Sequence, residues 1–223
     1  MSLVAYDSFT RTISSALGTA DVGGAWTVNT NTFDCNGTQG MSDTVAGSTR
    51  RARLASVSSL NQDYKLRIKT DKVAAGGYQQ FILTLRQLDQ DANYYEVLVK
   101  FTTAQAVTLQ LSRRIASSSF VIGSETTVSG LTHAADTFIR VRAQAIGASP
   151  TTLRAKAWAD NASEPATWAI SASDSTAALQ VASHLGIRWF NEGTSSQGTV
   201  TAYFDDLIVT TGSTPSQGII LDG

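Results

Sequence analysis

The chain is poor in the residues that most often mark a site. Cys35 is its one cysteine, which excludes an internal disulfide and a cysteine-rich zinc site. His133 and His184 are its two histidines, far apart and without metal-ligand spacing. Charged residues make up 16% of the sequence and the net charge is −1, whereas globular proteins carry about 25% charged residues. A balance so near neutral supplies no global field to draw in nucleic acid or an anionic membrane. No apolar run is long enough to span a bilayer. A Gly-x-Ser-x-Gly elbow, a glycine-rich phosphate loop and an internal repeat are all missing. Met1–Asp7 shows neither a basic n-region nor an apolar h-region, so no secretory signal peptide is expected.

What fills the chain instead is Ser, Thr, Ala and Gly around short alternating segments. Tyr64, Leu66 and Ile68 alternate with Lys65, Arg67 and Lys69. Phe81, Leu83 and Leu85 alternate with Gln80, Thr84 and Arg86; Tyr95, Val97, Val99 and Phe101 with Tyr94, Glu96 and Lys100. In the second half Ile139, Val141, Ala143 and Ala145 oppose Arg140, Arg142 and Gln144. Leu153, Ala155 and Ala157 oppose Arg154, Lys156 and Trp158. The turns between are rich in Asp, Asn, Ser and Gly, as at Leu88–Asn93 and Asp160–Pro165. This period of two, with no long helical period, predicts an all-β, two-sheet antiparallel sandwich. One helical turn fits Ser175–Gln180. Residues 1–211 are expected to form one domain and 212–223 a linker or tail, with Ile219–Leu221 as a docking segment.

The last strong strand, Thr199–Thr210, places Val200, Ala202, Phe204 and Ile208 on one face and Thr201, Tyr203, Asp205 and Leu207 on the other. Asp206 falls in phase with the core face. A carboxylate there requires an ion pair, hydrogen bonds or a metal, or a bulge that resets the phase and swings it outward.

Several phrases in order carry a family likeness: Tyr6–Thr12, Gly18–Trp26, Arg51–Leu54, Ser149–Trp158, Glu164–Trp168 and Phe204–Val209. Together they resemble the concanavalin A-like (laminin-G-like) jelly-roll domains of actinobacterial secreted proteins and actinobacteriophage minor tail proteins. The resemblance covers about residues 3–210 of the sequence. It implies a jelly roll whose chain ends meet on neighbouring strands, and a non-catalytic adhesion or carbohydrate-binding role. A start at Met1 without a leader favours the phage branch, with the virion tail as location; the alternative is an extracellular, secreted protein. The resemblance also implies a structural Ca²⁺ shared by Asp206 and Asp7, since calcium takes about six to eight oxygens. The competing reading is that Asp206 caps backbone N–H groups at a bulge without an ion.

A sugar-binding face is expected where Arg140, Arg142, Arg154, Lys156 and Trp158 share the outward phase of two adjacent strands. Aromatic faces stack on sugar C–H surfaces and guanidinium groups bond hydroxyls or acidic substituents. Trp189, His184 and Tyr94 are candidates for the same concavity. The competing reading is a solvated sheet face, with Trp158 and Trp168 packing across their hairpin. Asp89, Asp91 and Asn93 form a turn cluster that suits either a cation or the turn itself.

Hydrolysis of a glycosidic bond needs two suitably separated carboxylates. Glu96, Glu125, Glu164 and Glu192 are each isolated from other acids along their strands, and Asp205–Asp206 are adjacent. The expectation is therefore a binding module, not an enzyme, recognising a bacterial cell-envelope polysaccharide. The alternative is a structural or assembly domain without a sugar ligand. Other tail subunits are expected partners, a homotrimer by analogy with tail proteins; nucleic acid and membrane are not.

Overall fold

The structure, a computed structural model, describes residues 1–89 and 91–212. The predicted linker and its docking segment fall outside the described residues, apart from Gly212. Two antiparallel sheets account for the named strands. The nine-stranded sheet runs in the spatial order β14 (Ile170–Asp174), β13 (Thr151–Ala159), β12 (Ile139–Ile146), β7 (Gln62–Thr70), β16 (Val200–Thr210), β5 (Gly40–Thr44), β4 (Phe33–Asn36), β2 (Thr12–Ile13). Strand β1 (Leu3–Asp7) also pairs with β16, beyond the point where β5 ends. The seven-stranded sheet runs β11 (Ser118–Thr132), β10 (Ala106–Ile115), β9 (Tyr94–Phe101), β8 (Gln79–Gln87), β15 (Ser183–Asn191), β6 (Ser48–Ser59), β3 (Trp26–Val28). A short 3-10 turn at Ala177–Leu179 matches the predicted helical turn.

The alternation seen in sequence builds the core between the sheets. Leu66, Ile68, Val141, Ala143, Leu153 and Ala155 point inward from one sheet. Phe81, Leu83, Val97, Val99, Leu109 and Trp189 point inward from the other. The chain ends meet as expected: Leu3 faces Thr210 and Asp7 faces Leu207 across the β1–β16 pair.

Two strands depart from the simple period. The register of β16 against β7 slips between Asp205 and Ile208, and Asp206 takes φ = 52°. This is a bulge that swings the misfit carboxylate outward, and it inverts the phase beyond it. Leu207 and Val209 therefore enter the core, while Ile208 faces out at 39% exposure, the reverse of their predicted faces. Arg86, expected on the outward face with Thr84, instead sits at φ = 48° where the register of β8 against β15 shifts. Its buried guanidinium donates to Leu60 O (2.8 Å), Leu179 O (3.0 Å), Thr151 Oγ1 (2.6 Å) and Gly147 O. It ties the β8 end to three loops.

Candidate functional site

A two-layer sandwich has two outer faces, and their side chains are arranged in opposite ways. The outer face of the nine-stranded sheet carries the predicted row of cations, but they are internally neutralised. Arg142 donates to Asp63 at 2.8 and 2.6 Å and to Glu164 at 2.5 Å. Lys65 and Lys156 reach the same Glu164, each at 2.8 Å. Arg140 pairs with Asp160 at 2.7 Å and lies 3.7 Å from Asp206. Arg67 meets Asp205 at 2.5 Å and Asp206 at 3.2 Å. Burial would raise the Glu164 carboxyl, but hydrogen bonds from Lys156, Lys65 and Arg142 outweigh it and bring it down to about 2. Arg154 donates to Gln144 at 2.6 Å.

The aromatic expected over this row is a different one. Trp158 is only 7% exposed and lines an apolar pocket of about 350 Å³ with Leu131 and Pro165. Trp168 covers the cations instead, with Arg154, Lys156 and Arg142 at 4.5, 4.8 and 5.3 Å from its ring centre. The strand residues Arg140, Arg142, Arg154, Lys156 and Trp158 thus do share one face, held by ion pairs and by the segment from Asp160 to Trp168. Trp189, Tyr94 and His184 do not join them: all three belong to the seven-stranded sheet. Trp189 points into the core at 1% exposure and packs on Phe81, ring centres 4.8 Å apart. His184 is tied to Val57 O at 2.6 Å through Nδ1.

The outer face of the seven-stranded sheet is the unexpected one. Residues in the outward phase should be the exposed ones, with water on that side. Yet Gln80, Ile82, Thr84, Tyr94, Glu96, Ser112 and Arg188 are all buried, the most exposed of them at 6%. Burial of polar side chains on an outer face means that the face is recessed. A recess of about 340 Å³ opens there, lined by β6, β8, β9, β10, the start of β11 and β15.

Cross-strand register sets its contents. Arg188 faces Arg51 on β6 and Ile82 on β8; Glu96 faces Thr84 on β8 and Ser112 on β10. Arg188 donates to Glu96 Oε1 at 2.9 Å and to the Tyr94 hydroxyl. Glu96 Oε2 accepts from Ser112 at 2.7 Å and Ser119 at 3.2 Å, and Arg114 stands 3.9 Å from Oε1. Burial raises the Tyr94 hydroxyl above its ordinary value, so it stays protonated. At one end Tyr78 and Phe190, both half-buried, form an aromatic pair with ring centres 5.9 Å apart. Lys100 lies 5.1 Å over the Tyr78 ring and pairs with Glu125 at 2.7 Å. At the rim Asp91 pairs with Arg51 at 2.7 Å.

Tyr94 is the one predicted binding residue that lies at this recess, where it braces Arg188 from a fully buried position. Sequence reasoning passed over Glu96, Arg188, Arg51, Arg114, Tyr78 and Phe190. Their alternation was legible, but nothing local tells which of two outward faces is hollow. The Asp89–Asn93 cluster makes its own turn: Asp89 accepts from the Ala92 and Asn93 amides at 2.5 and 2.9 Å and from Asn93 Nδ2 at 2.7 Å.

Asp7 and Asp206, the expected calcium ligands, are engaged by different cations. Asp7 is fully buried and accepts from Arg11 (2.7 and 2.8 Å), Trp26 Nε1 (2.7 Å) and the Phe9 amide (2.9 Å). Asp206, on its bulge, faces Arg67 and Arg140. No group of three or more metal-ligating side chains occurs among the described residues. Nor does any helix among them have the length and apolarity to cross a membrane.

The fold is a concanavalin A-like jelly-roll sandwich with a recessed outer sheet. No protein-family model matches the chain, and no curated protein matches it. Solved structures do. Carbohydrate binding module CBM66 from Bacillus subtilis superposes with a TM-score of 0.52 at 13% identity, covering 93% of this chain and 96% of that one. An alginate lyase variant solved with an alginate trisaccharide gives a TM-score of 0.63 at 9% identity, covering 95% and 99%. A legume lectin-like domain from Entamoeba histolytica gives 0.57 at 10% identity, covering 84% and 90%. At such identities the likeness extends to the fold.

Proposed function

We propose that this protein is a non-catalytic carbohydrate-binding module whose ligand lies in the recess of the seven-stranded sheet. The observation that carries this reading is the Tyr78–Phe190 pair beside a hollow lined with buried, oriented polar groups. An aromatic platform takes the C–H face of a sugar, and fixed donors and acceptors read its hydroxyls. The similar folds of a carbohydrate binding module and a lectin-like domain support the reading without carrying it.

Binding is preferred to catalysis because of Glu96. It is the only carboxylate in the recess lining among the described residues, and both its oxygens are committed to Arg188, Ser112 and Ser119. Glycosidic cleavage needs a second carboxylate across the bond. The resemblance in sequence supports the finer reading: a phage tail domain recognising a bacterial envelope polysaccharide, carried on a homotrimer that multiplies a weak single-site affinity.

A glycan panel, including isolated actinobacterial cell walls, tests the core proposal. Phe190→Ala and Tyr78→Ala should each weaken binding about tenfold or more with little change in melting temperature. A folded protein that binds no glycan and no wall would return the reading to an assembly domain.

A further inference from the structure

The recess is cationic in a way that the rest of the molecule is not. Its lining holds Arg51, Arg114 and Arg188 against the single carboxylate Glu96, with Asp91 pairing Arg51 from the rim, three guanidinium groups to two acids. Arg51 and Arg188 are direct cross-strand partners, a placement that like charges disfavour. Arg53, two residues along β6 in the same outward phase, has no acidic partner among the described residues. The Nε atoms of Arg53, Arg114 and Arg188 are buried with no hydrogen-bond acceptor. Buried arginine donors normally find acceptors, and an unmatched set is costly. Burial lowers the Arg188 pKa against the raising effect of Tyr94 and Glu96, and the like charges of Arg51 and Arg114 lower it further.

The other face of the same sandwich is the internal control. There Asp63, Asp160, Glu164, Asp205 and Asp206 answer the cations, pair by pair. A chain of net charge −1 could have closed the recess in the same way. It is left short of acid at the outer face whose hollow carries the Tyr78–Phe190 aromatic pair.

Resting on the carbohydrate reading above, we propose that the recess selects an acidic saccharide, its sugar ring stacked at Tyr78–Phe190 and its carboxylate received by the Arg51–Arg188–Arg114 cluster. A guanidinium fork fits a carboxylate in two parallel hydrogen bonds, which a hydroxyl cannot match. Glu96 and Tyr94 are then positioning residues: they hold Arg188 in place and do not themselves touch the ligand.

The experiment is calorimetric titration of the full chain with alginate and polygalacturonate (carboxylated), carrageenan (sulfated) and a neutral β-glucan, at low and high salt. Carboxylated polymers should bind at least tenfold tighter than the neutral one, and their affinity should fall with added salt. Arg51→Gln, at the more open side of the cluster, should weaken carboxylated ligands about tenfold or more. It should weaken neutral glycans less than carboxylated ones, so that the preference between them narrows. Arg114→Gln serves as the second variant should Arg51→Gln perturb folding. Preference for the sulfated polymer would replace the carboxylate with a tetrahedral anion and overturn the carboxylate assignment. Equal or tighter binding of the neutral polymer, sensitive to Phe190→Ala but not to Arg51→Gln, would overturn the inference while leaving the carbohydrate reading intact. Failure of all four, together with cell walls, would overturn both.

Discussion

Asp7 accepts four hydrogen bonds from three residues, with its carboxylate sealed from solvent. With Arg11 supplying the counter-charge, the group acts as a hub joining β1 to the Gly18–Trp26 loop. Truncation strands a guanidinium, an indole N–H and an amide at once, so Asp7→Ala should cost about 3–5 kcal/mol in chemical denaturation. Since those donors leave little room for a cation, EGTA should not shift the melting temperature. A fall on chelation, reversed by Ca²⁺, would instead restore the shared-ion expectation for Asp7 and Asp206. His133 gives a pH dependence. It is buried, stacked on Phe101 at 3.9 Å and bonded to Thr70 Oγ1 at 2.9 Å, and burial lowers its pKa to about 4. Unfolded, the imidazole titrates near 6.5, so between those values the unfolded chain binds the proton more tightly. Stability is therefore fully present above about pH 6.5 and falls as pH drops toward 4, by about 2 kcal/mol between pH 7 and 5. Urea unfolding at both pH values measures it. His133→Gln should flatten the difference, and an undiminished slope in that variant would assign it to other groups.

At the scale of elements, β16 shows what alternation can and cannot convey. Its first half was readable, because Val200, Ala202 and Phe204 keep one phase and all three are buried. Asp206 announced a conflict in that phase, but not its resolution, since a buried paired carboxylate and a bulge predict the same string of residues. Only the neighbouring strand distinguishes them: β7 supplies Arg67, which takes Asp205 on one side of the bulge and Asp206 on the other. Removing the extra residue should keep the phase of the strand beyond it, because two residues, Asp206 and Leu207, stand against Leu66 alone. Deletion of Asp206 straightens the strand and leaves Leu207 opposite Leu66 and Val209 opposite Tyr64, both facing the core, so cooperative unfolding should persist. Asp206→Gly keeps the bulge and removes a side chain from positive φ, so a change within about 1 kcal/mol is expected. A deletion variant that loses cooperative unfolding would show that β16 needs the bulge itself to seat against β7. The same limit explains why Arg86 was misplaced. A one-residue shift at the end of β8 converts an outward arginine into a buried tie between loops, and the signal for that shift lies in β15.

For the molecule as a whole, the two-sheet class was visible in the period-two pattern and the turn chemistry, and the meeting of the chain ends was implied by the family resemblance. The functional face was not, for a geometric reason. Arg140–Arg142 and Arg154–Lys156 advertise charge in consecutive hairpin strands, whereas the recess assembles β6, β9, β10 and β15 from distant parts of the chain. Local sequence shows a cation but not the acid that neutralises it. Asp63 and Glu164 silence one face, while on the other Arg51, Arg114 and Arg188 outnumber Glu96 and Asp91. Salt should therefore act unequally, weakening ligand capture at the recess before it disturbs folding, because partly buried pairs are screened less than exposed charges. A melting temperature that falls in parallel with affinity as salt rises would contradict that division.

The pairing of β1 with β16 also has a mechanical consequence. Leu3 lies opposite Thr210, and the Thr211 amide bonds to Ser2 O at 2.9 Å, so both ends of the described chain leave from the same point. Tension applied between those ends loads these bonds one after another and peels β1 away like a zipper, a weak mode of resistance. Tension between either end and a ligand seated in the recess runs across the sandwich instead, through two sheets and their packed core. The same domain should thus be fragile when stretched by its ends and tough when pulled by its catch.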